Sequence, residues 1–395
     1  MLRTALVLAL LSAVGPFAID LYLPALPAIA EGLGADVAAI QGTLTAYFLA
    51  FGVAQLVYGP LADQLGRKPP IYIGLAIFAV GSFAAAMAPT AGWLSAARFV
   101  QGLGGAAIMV VPRAIIRDMH TGAQATKMMA MVMLVISVSP MLAPLAGAGL
   151  LTLGDWRLIF WVLLAAALVC LVIAKVAQPE TLPPERRVRV NLRSMGRGFR
   201  VLLTDRTFMG LTLIGGFGMA SFFVFLASAS FVYVEQFGLS PTGFSLAFAV
   251  NAVGFFGASQ AAGPLGARFG MVPVMRLAVV GFAFFTSALF LLVLAGFGTL
   301  PVIIAMLFLG NACLGLVIPT TMVMALDPHG QIAGLASSLG GTLQMVAGGA
   351  MIVATGPFFD GTALPMVAAI AVCGLGALAL SLLTLPRVVE TAPAV

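Results

Sequence analysis

Apolar runs of about twenty residues recur along the whole chain, separated by short polar or Gly/Pro-rich joints. That pattern dictates the solvent. Crossing a bilayer's hydrocarbon core takes about 20 consecutive apolar residues in a helix, and a helix satisfies every backbone polar group within the segment. The runs are continuous rather than alternating, which argues against a transmembrane β-barrel. Only 8% of the 395 residues are charged, against about 25% in soluble domains. A water-soluble fold of this size has too few charges to cover itself.

Hydropathy windows predict helices over 4–30, 41–61, 70–88, 91–116, 126–151 and 156–177, then over 208–234, 242–264, 273–296, 300–325, 332–357 and 363–385. Twelve such spans with short loops take roughly 300 to 400 residues, leaving no room here for a sizeable soluble domain. The basic-then-apolar start imitates a secretory signal peptide. The run continues through Asp20 to Leu26, however, so a mature first helix is expected.

Twelve spans place both termini on one side. With the N-terminus inside, the inner loops carry Arg67, Lys68, Arg117, Lys127, Arg268, Arg276 and Arg387, together with the crowded Arg186, Arg187, Arg189, Arg193, Arg197, Arg200 and Arg206. The outer loops carry Arg157 with Glu31, Asp36, Asp155, Glu235 and Asp360. Basic loops stay in the cytoplasm, so both termini are expected there, and the central arginines read as a cytoplasmic loop rather than a nucleic-acid patch. Cys170, Cys313 and Cys373 lie in apolar runs, with no CxxC pair or Cys/His cluster to suggest a metal site or disulfide framework.

The turn Gly59-Pro60-Leu61-Ala62-Asp63-Gln64-Leu65-Gly66-Arg67-Lys68-Pro69 returns 204 positions later as Gly263-Pro264-Leu265-Gly266-Ala267-Arg268-Phe269-Gly270-Met271-Val272-Pro273. Each set of six helices thus carries the same joint after its second member. The expected architecture is an all-α membrane protein with twelve transmembrane helices in two pseudo-symmetric six-helix halves. The halves are 1–178 and 207–395, joined by a basic linker, 179–206. Such repeats imply alternating access by rocking of one half against the other.

At these residues the chain resembles the major facilitator superfamily. Gly59, Leu61-Ala62-Asp63 and Gly66-Arg67-Lys68 are similar to its signature between helices two and three. Gly59 and Gly66 are expected to permit a tight turn and close packing, and Asp63 to pair with Arg67 and Lys68 as a lock on the cytoplasmic face. The resemblance implies that an acidic residue ending helix four joins this network, and Asp118 stands in that place. Three further motifs narrow the resemblance: Ile19-Asp20-Leu21-Tyr22-Leu23-Pro24-Ala25-Leu26-Pro27 in helix one resembles that of the Bcr/CflA drug-resistance group, Arg98-Phe99-Val100-Gln101-Gly102 in helix four resembles the arginine motif of proton-coupled members, and Ser139-Pro140-Met141-Leu142-Ala143-Pro144-Leu145-Ala146-Gly147-Ala148 lies in helix five. The last is similar to an antiporter motif that usually reads Gly-Pro-x-x-Gly-Gly. Here Ala143, Pro144 and Gly147 hold its places, and the replacements stay small. Asp155-Trp156-Arg157-x-x-Phe160-Trp161 opens helix six as in that group. In the second half Ala267 replaces Asp63, so the charged lock is one-sided.

Charge inside the spans is scarce, and at the bilayer centre it costs about 2.5–3.5 kcal/mol on insertion scales. That makes Asp20 and Arg98 the informative residues. At 1.5 Å per residue, Asp20 lies roughly 24 Å from the inner end of helix one and Arg98 roughly 10 Å from the outer end of helix four. Both fall in the outer half of the core. Burial opposes the Asp20 carboxylate and a nearby guanidinium favours it. Two readings stand: a pair that exchanges a proton for a cationic substrate, or a structural ion pair bracing helices one and four. Gln101, one turn below Arg98, and Tyr22, Tyr47, Phe51 and Asn251 are the other candidate cavity residues. Arg113 reads as snorkelling. Phe217, Phe222, Phe223 and Phe225 read as packing or a greasy pocket. Glu235, His120 and His329 read as solvated loop residues.

No Walker loop, HExxH or GxSxG is present, so neither ATP use nor enzymatic catalysis is expected, and no ring of charges or filter loop suggests a channel. The resemblance implies a proton-coupled efflux transporter for drug-like molecules in the bacterial inner membrane, working without a cofactor on the proton gradient. The expected partners are a small-molecule substrate, protons and membrane lipid, with no nucleic acid and a monomeric chain. An uptake symporter, or an exporter of a small metabolite, is the alternative.

Overall fold

The computed structural model describes residues 2–120, 122–187 and 192–391. Arg189 lies outside the described residues, as do the side chains of Lys127 and Arg387. The chain divides into two compact units, Met1–Asn191 and Leu192–Val395, the division falling within the segment 179–206.

In unit 1 the chain runs through α1 (Leu2–Asp20), α2 (Leu26–Leu33), α3 (Val37–Leu65), α4 (Lys68–Ala86), α5 (Ala91–Met119), α6 (Gly122–Leu153) and α7 (Arg157–Ala177). Unit 2 holds α8 (Leu192–Thr204), α9 (Arg206–Phe231), which runs into a π-helical turn Val232–Gln236, α10 (Pro241–Phe269), α11 (Met271–Leu294), α12 (Leu300–Leu326), α13 (Ala333–Thr355) and α14 (Ala363–Thr391). Several starts are fixed by side chains that accept orphan amide protons. Asp36 takes that of Ala39, Thr90 that of Trp93, Asp205 those of Thr207 and Phe208, and Ser240 that of Gly243.

Among the described residues, eleven helical stretches are long and apolar enough to cross a membrane. One of them, Leu300–Phe358, contains both α12 and α13, joined by a 3₁₀ stretch at Asp327–Ile332, which makes twelve spans. The protein is a multi-pass membrane protein. Large apolar side chains such as Leu277, Phe284 and Leu382 stand exposed, as lipid in place of water allows.

The two units repeat one packing scheme. In unit 1 α3 and α4 both lie on α5, α4 meets α7, and α1 meets α5, α6 and α7. In unit 2 α10 and α11 both lie on α12, α11 meets α14, and α9 meets α12, α13 and α14. The repeated joint has one conformation: Gly66 (φ 96°) and Gly270 (φ 85°) both take the positive φ that favours glycine.

Three expectations need correction. The first span is not one helix over 4–30: α1 stops at Asp20, a 3₁₀ turn covers Leu23–Ala25, and α2 follows. Pro24 and Pro27 lack the amide protons that would continue the ladder. Gly59 is neither in the turn nor in close packing. The helix runs through Pro60 to Leu65, and a Cβ at Gly59 would meet nothing within 4 Å. Last, residues 192–204 of the expected linker form α8, which packs on α9 and α13.

Candidate functional site

The interruption of helix one builds the site. In a continuous helix the Tyr22 amide would bond the Ala18 carbonyl. Here it turns to the Ile19 carbonyl (3.2 Å), and Arg98 Nη1 donates to the Ala18 carbonyl instead (3.0 Å). A cation at the C-terminal end of a helix is also favoured by its dipole.

Arg98, on α5, is 0% exposed. Its guanidinium lies over the rings of Tyr22 (4.7 Å) and Tyr47 (4.4 Å), and Nη1 also donates to Gln101 Oε1. Gln101 passes the network on, its Nε2 donating to Ser82 Oγ on α4 (2.8 Å). Tyr22 OH lies 2.8 Å from Thr43 Oγ1. Thr43 donates its own proton to the Ile40 carbonyl (2.6 Å), so the tyrosine is the donor. Tyr47 OH donates to the Gly15 carbonyl (3.3 Å), and its ring stacks on Phe51 at 6.0 Å. Arg98 Nε and Nη2 are buried without a partner among the described residues.

Asp20 ends α1 beside this cage and is 5% exposed. Its partner is Ser139 on α6, whose Oγ donates to Asp20 Oδ2 (3.1 Å). Among the described residues no ion pair within 4.0 Å joins Asp20 to Arg98. The guanidinium is held by aromatic faces and neutral acceptors, and the carboxyl by one hydroxyl.

The helix-five motif supports this arrangement. Ala143 is buried, and Gly147 packs where helix one is interrupted: a Cβ there would collide with the Leu21 carbonyl oxygen and press on Pro24. Gly149, two residues on, faces open space. Gly147→Ala is therefore expected to cost ~1–3 kcal/mol by overpacking and to lower the melting temperature of purified protein. Gly149→Ala, gaining helix propensity, should match or exceed wild type. Equal melting temperatures for the two variants would show that the interruption tolerates displacement.

At the other end of α3 the expected charge cluster forms. Arg67 is buried; Nε and Nη2 grip both oxygens of Asp118 (2.7 and 3.1 Å), and Nη1 bonds Asp63 Oδ1 (2.6 Å). Lys68 joins otherwise than expected, with Nζ on the Lys175 carbonyl (3.5 Å).

Sequence reasoning missed the cluster's other half. Glu180, just past α7, accepts the amide protons of Arg67 (2.9 Å), Lys68 (3.1 Å), Thr181 (3.0 Å) and Leu182 (3.0 Å), and Thr181 Oγ1 donates to Asp118 Oδ2 (3.1 Å). A Cβ on Gly66 would stand 2.6 Å from Glu180 Oε2, so the glycine also makes room for this carboxylate. Burial alone would raise the Glu180 pKa, but the amide protons outweigh it and hold the carboxyl below its usual 4.5. A carboxylate so depressed stabilises the fold above its usual value, and that contribution fades as pH falls through the folded value. Glu180→Gln should therefore melt below wild type at pH 7, with the gap closing below about pH 4.5. A gap that persists unchanged at pH 4 would mean that the carboxylate's charge plays no part.

Asn251 belongs to unit 2, where its Nδ2 donates to the Ala247 carbonyl (3.2 Å) and its Oδ1 accepts from Asn311 Nδ2 (3.4 Å). Phe225 is core, stacked on Phe248 at 5.5 Å. His329 is not a solvated loop residue. Its Nε2 lies 3.0 Å from Asp205 Oδ2, and its ring meets the ring of Phe208.

A family model described as Major Facilitator Superfamily matches residues 8–352. The chain is 34% identical, over 98% of its length and 96% of the relative's, to an uncharacterized MFS-type transporter, YdgK, of Bacillus subtilis. It is 32% identical to a bicyclomycin resistance protein homolog of Haemophilus influenzae, over 93% of this chain and 92% of the other. It is also 32% identical to multidrug resistance protein D of Escherichia coli, over 88% and 86%. Among solved structures, a D-xylose-proton symporter superposes with a TM-score of 0.74 at 16% identity, covering 96% of this chain and 97% of that one. That last likeness concerns the fold.

Proposed function

The chain belongs to the major facilitator superfamily and is a transporter rather than an enzyme, and from that premise we propose that it exports drug-like small molecules from the bacterial cytoplasm in exchange for protons. The observation that carries this reading is Asp20, a carboxyl at the interruption of helix one with, among the described residues, a single hydroxyl partner and no cation in ion-pair reach. A charge in that position needs a compensating partner. A proton supplies one from outside, and a cationic or hydrogen-bond-donating substrate supplies another from inside. Competition between them couples substrate exit to proton entry. Arg98 positions this carboxyl by holding the adjacent turn through the Ala18 carbonyl.

The relatives named for bicyclomycin and multidrug resistance favour a drug-like substrate. Their bacterial sources, and the arginines and lysines of alternate loops, favour the inner membrane with both termini in the cytoplasm. In this reading the Arg67, Asp63, Asp118 and Glu180 cluster is the cytoplasmic gate, one chain makes one pathway, and the proton gradient is the energy source with no cofactor.

The test is accumulation of phenicols, bicyclomycin and lipophilic cations by everted vesicles. Uptake that requires an acidic interior, collapses with a protonophore and ignores a sodium gradient is expected. Uptake by right-side-out vesicles, or drive by sodium, would overturn the reading.

A further inference from the structure

Helix α8 presents a basic surface that transport chemistry does not use. No Asp or Glu occurs from Arg186 to Thr204, while Arg186, Arg187, Arg193, Arg197 and Arg200 do. Within α8, Arg193, Arg197 and Arg200 are spaced i, i+4, i+7 and share one face. The opposite face is anchored: Leu202 is fully buried, Phe199 packs on the same cluster with Phe208 and Leu211, and Gly198 lies against Leu335. Arg197 and Arg200 are exposed and form no ion pair among the described residues. The nearest acid in sequence, Asp205, is engaged with the first amides of α9 and with His329. Flanking the arginine stripe, Val201 and Leu203 are 52% and 50% exposed.

The position of this helix selects its partner. α8 ends at Thr204 and the span formed by α9 begins at Arg206, so α8 lies at the membrane boundary. A helix there with guanidinium groups on one face and apolar side chains at its flanks matches a leaflet surface, whose phosphodiesters take the charge and whose acyl boundary takes Val201 and Leu203. A nucleic acid would satisfy the arginines and leave the apolar flanks wet. Guanidinium suits a phosphodiester because it can donate two parallel hydrogen bonds.

We propose that α8 is a binding surface for anionic phospholipid headgroups, made by Arg193, Arg197 and Arg200 with Val201 and Leu203 seated at the acyl boundary. It tethers the start of unit 2 to the leaflet and is independent of the transported substrate.

The test uses delipidated full-length protein in neutral detergent, titrated with phosphatidylglycerol, phosphatidylcholine, inorganic phosphate and a short DNA duplex, with bound lipid counted by native mass spectrometry. Wild type should bind phosphatidylglycerol in preference to phosphatidylcholine, and more weakly as salt rises. Each arginine removed should cost roughly fivefold in affinity, so R197Q/R200Q should lose roughly twenty-five-fold. V201S/L203S should weaken lipid binding without changing its salt dependence, and R268Q, on another joint, should bind as wild type does. Should the double variant fail to fold, R200Q alone carries the test at fivefold. Wild-type affinity in R197Q/R200Q, equal binding of phosphatidylcholine, or inorganic phosphate bound as tightly as phosphatidylglycerol would overturn the proposal. DNA binding tighter than phosphatidylglycerol would reassign the surface to nucleic acid.

Discussion

Asp20→Asn is expected to reduce proton-driven transport to the level of empty vesicles while the protein remains folded in the membrane. Asparagine keeps the size of the side chain and can still accept from Ser139 Oγ, which lies 3.1 Å from Asp20 Oδ2. What it removes is the choice between charged and neutral forms. The carboxyl is 5% exposed and has no cation in ion-pair reach among the described residues, so in the proposed mechanism its charge is compensated by transported species rather than by the fold. With that choice gone, the chain is expected to bind substrate and exchange it down its own gradient, at a rate that no longer depends on pH. Everted vesicles measure both, by accumulation under an imposed pH gradient and by counterflow without one. Wild-type accumulation with an unchanged pH dependence would remove Asp20 from coupling.

Arg98 carries the second large effect, and it is first a structural one. Its guanidinium sits between two tyrosine rings, and each cation–π contact of this kind contributes ~0.5–2 kcal/mol. Hydrogen bonds made by a charged group to the Ala18 carbonyl and Gln101 contribute ~1.5–3 kcal/mol apiece. Arg98→Ala leaves those acceptors buried and unpaired and opens a void between Tyr22 and Tyr47. A loss of ~3–5 kcal/mol is expected, which places the variant among the most damaging single substitutions. It should accumulate poorly and melt far below wild type. Arg98→Lys keeps the charge as a compact point that cannot reach all the same partners, so partial recovery of melting temperature is expected. Wild-type melting of the alanine variant would show that the cage does not hold unit 1 together.

The spans and the repeat were legible because each is a local pattern, whereas Asp118, 51 positions from Arg67, was expected from the family resemblance alone. A hydropathy window needs only neighbouring residues, and the recurring joint is carried by Gly66 and Gly270, whose positive φ explains why glycine stands at both. The Arg98–Gln101 contact was also within reach, since residues three apart share a helix face. The same window averaged over Pro24 and Pro27 and so concealed the interruption in helix one, the feature that frees the Ala18 carbonyl and sets Asp20 at a helix end.

Ser139 and Glu180 were invisible for a different reason. Their partners lie 119 and 113 positions away in the chain, and nothing around either residue marks the meeting. A serine directly before Pro140 in an apolar run was the available hint for one, and the first of two acids after the sixth span, Glu180 and Glu185, the hint for the other. The Asp20–Arg98 ion pair failed in the opposite way. Depth along two helices brought the residues to one level, but the aromatic faces of Tyr22 and Tyr47 occupy the guanidinium. Position along a helix does not reveal which neighbour wins.

Competition between proton and substrate at Asp20 is the centre of this account, and proton release on substrate addition tests it most directly. Purified wild type and Asp20→Asn, in weakly buffered detergent solution with a pH dye, would each receive the same panel of antibiotics and lipophilic cations. Release by wild type on adding a compound that binds, and none by Asp20→Asn with the same compound still bound, is the predicted result. Equal release from both proteins, or none from wild type with a compound shown to bind, would contradict the account.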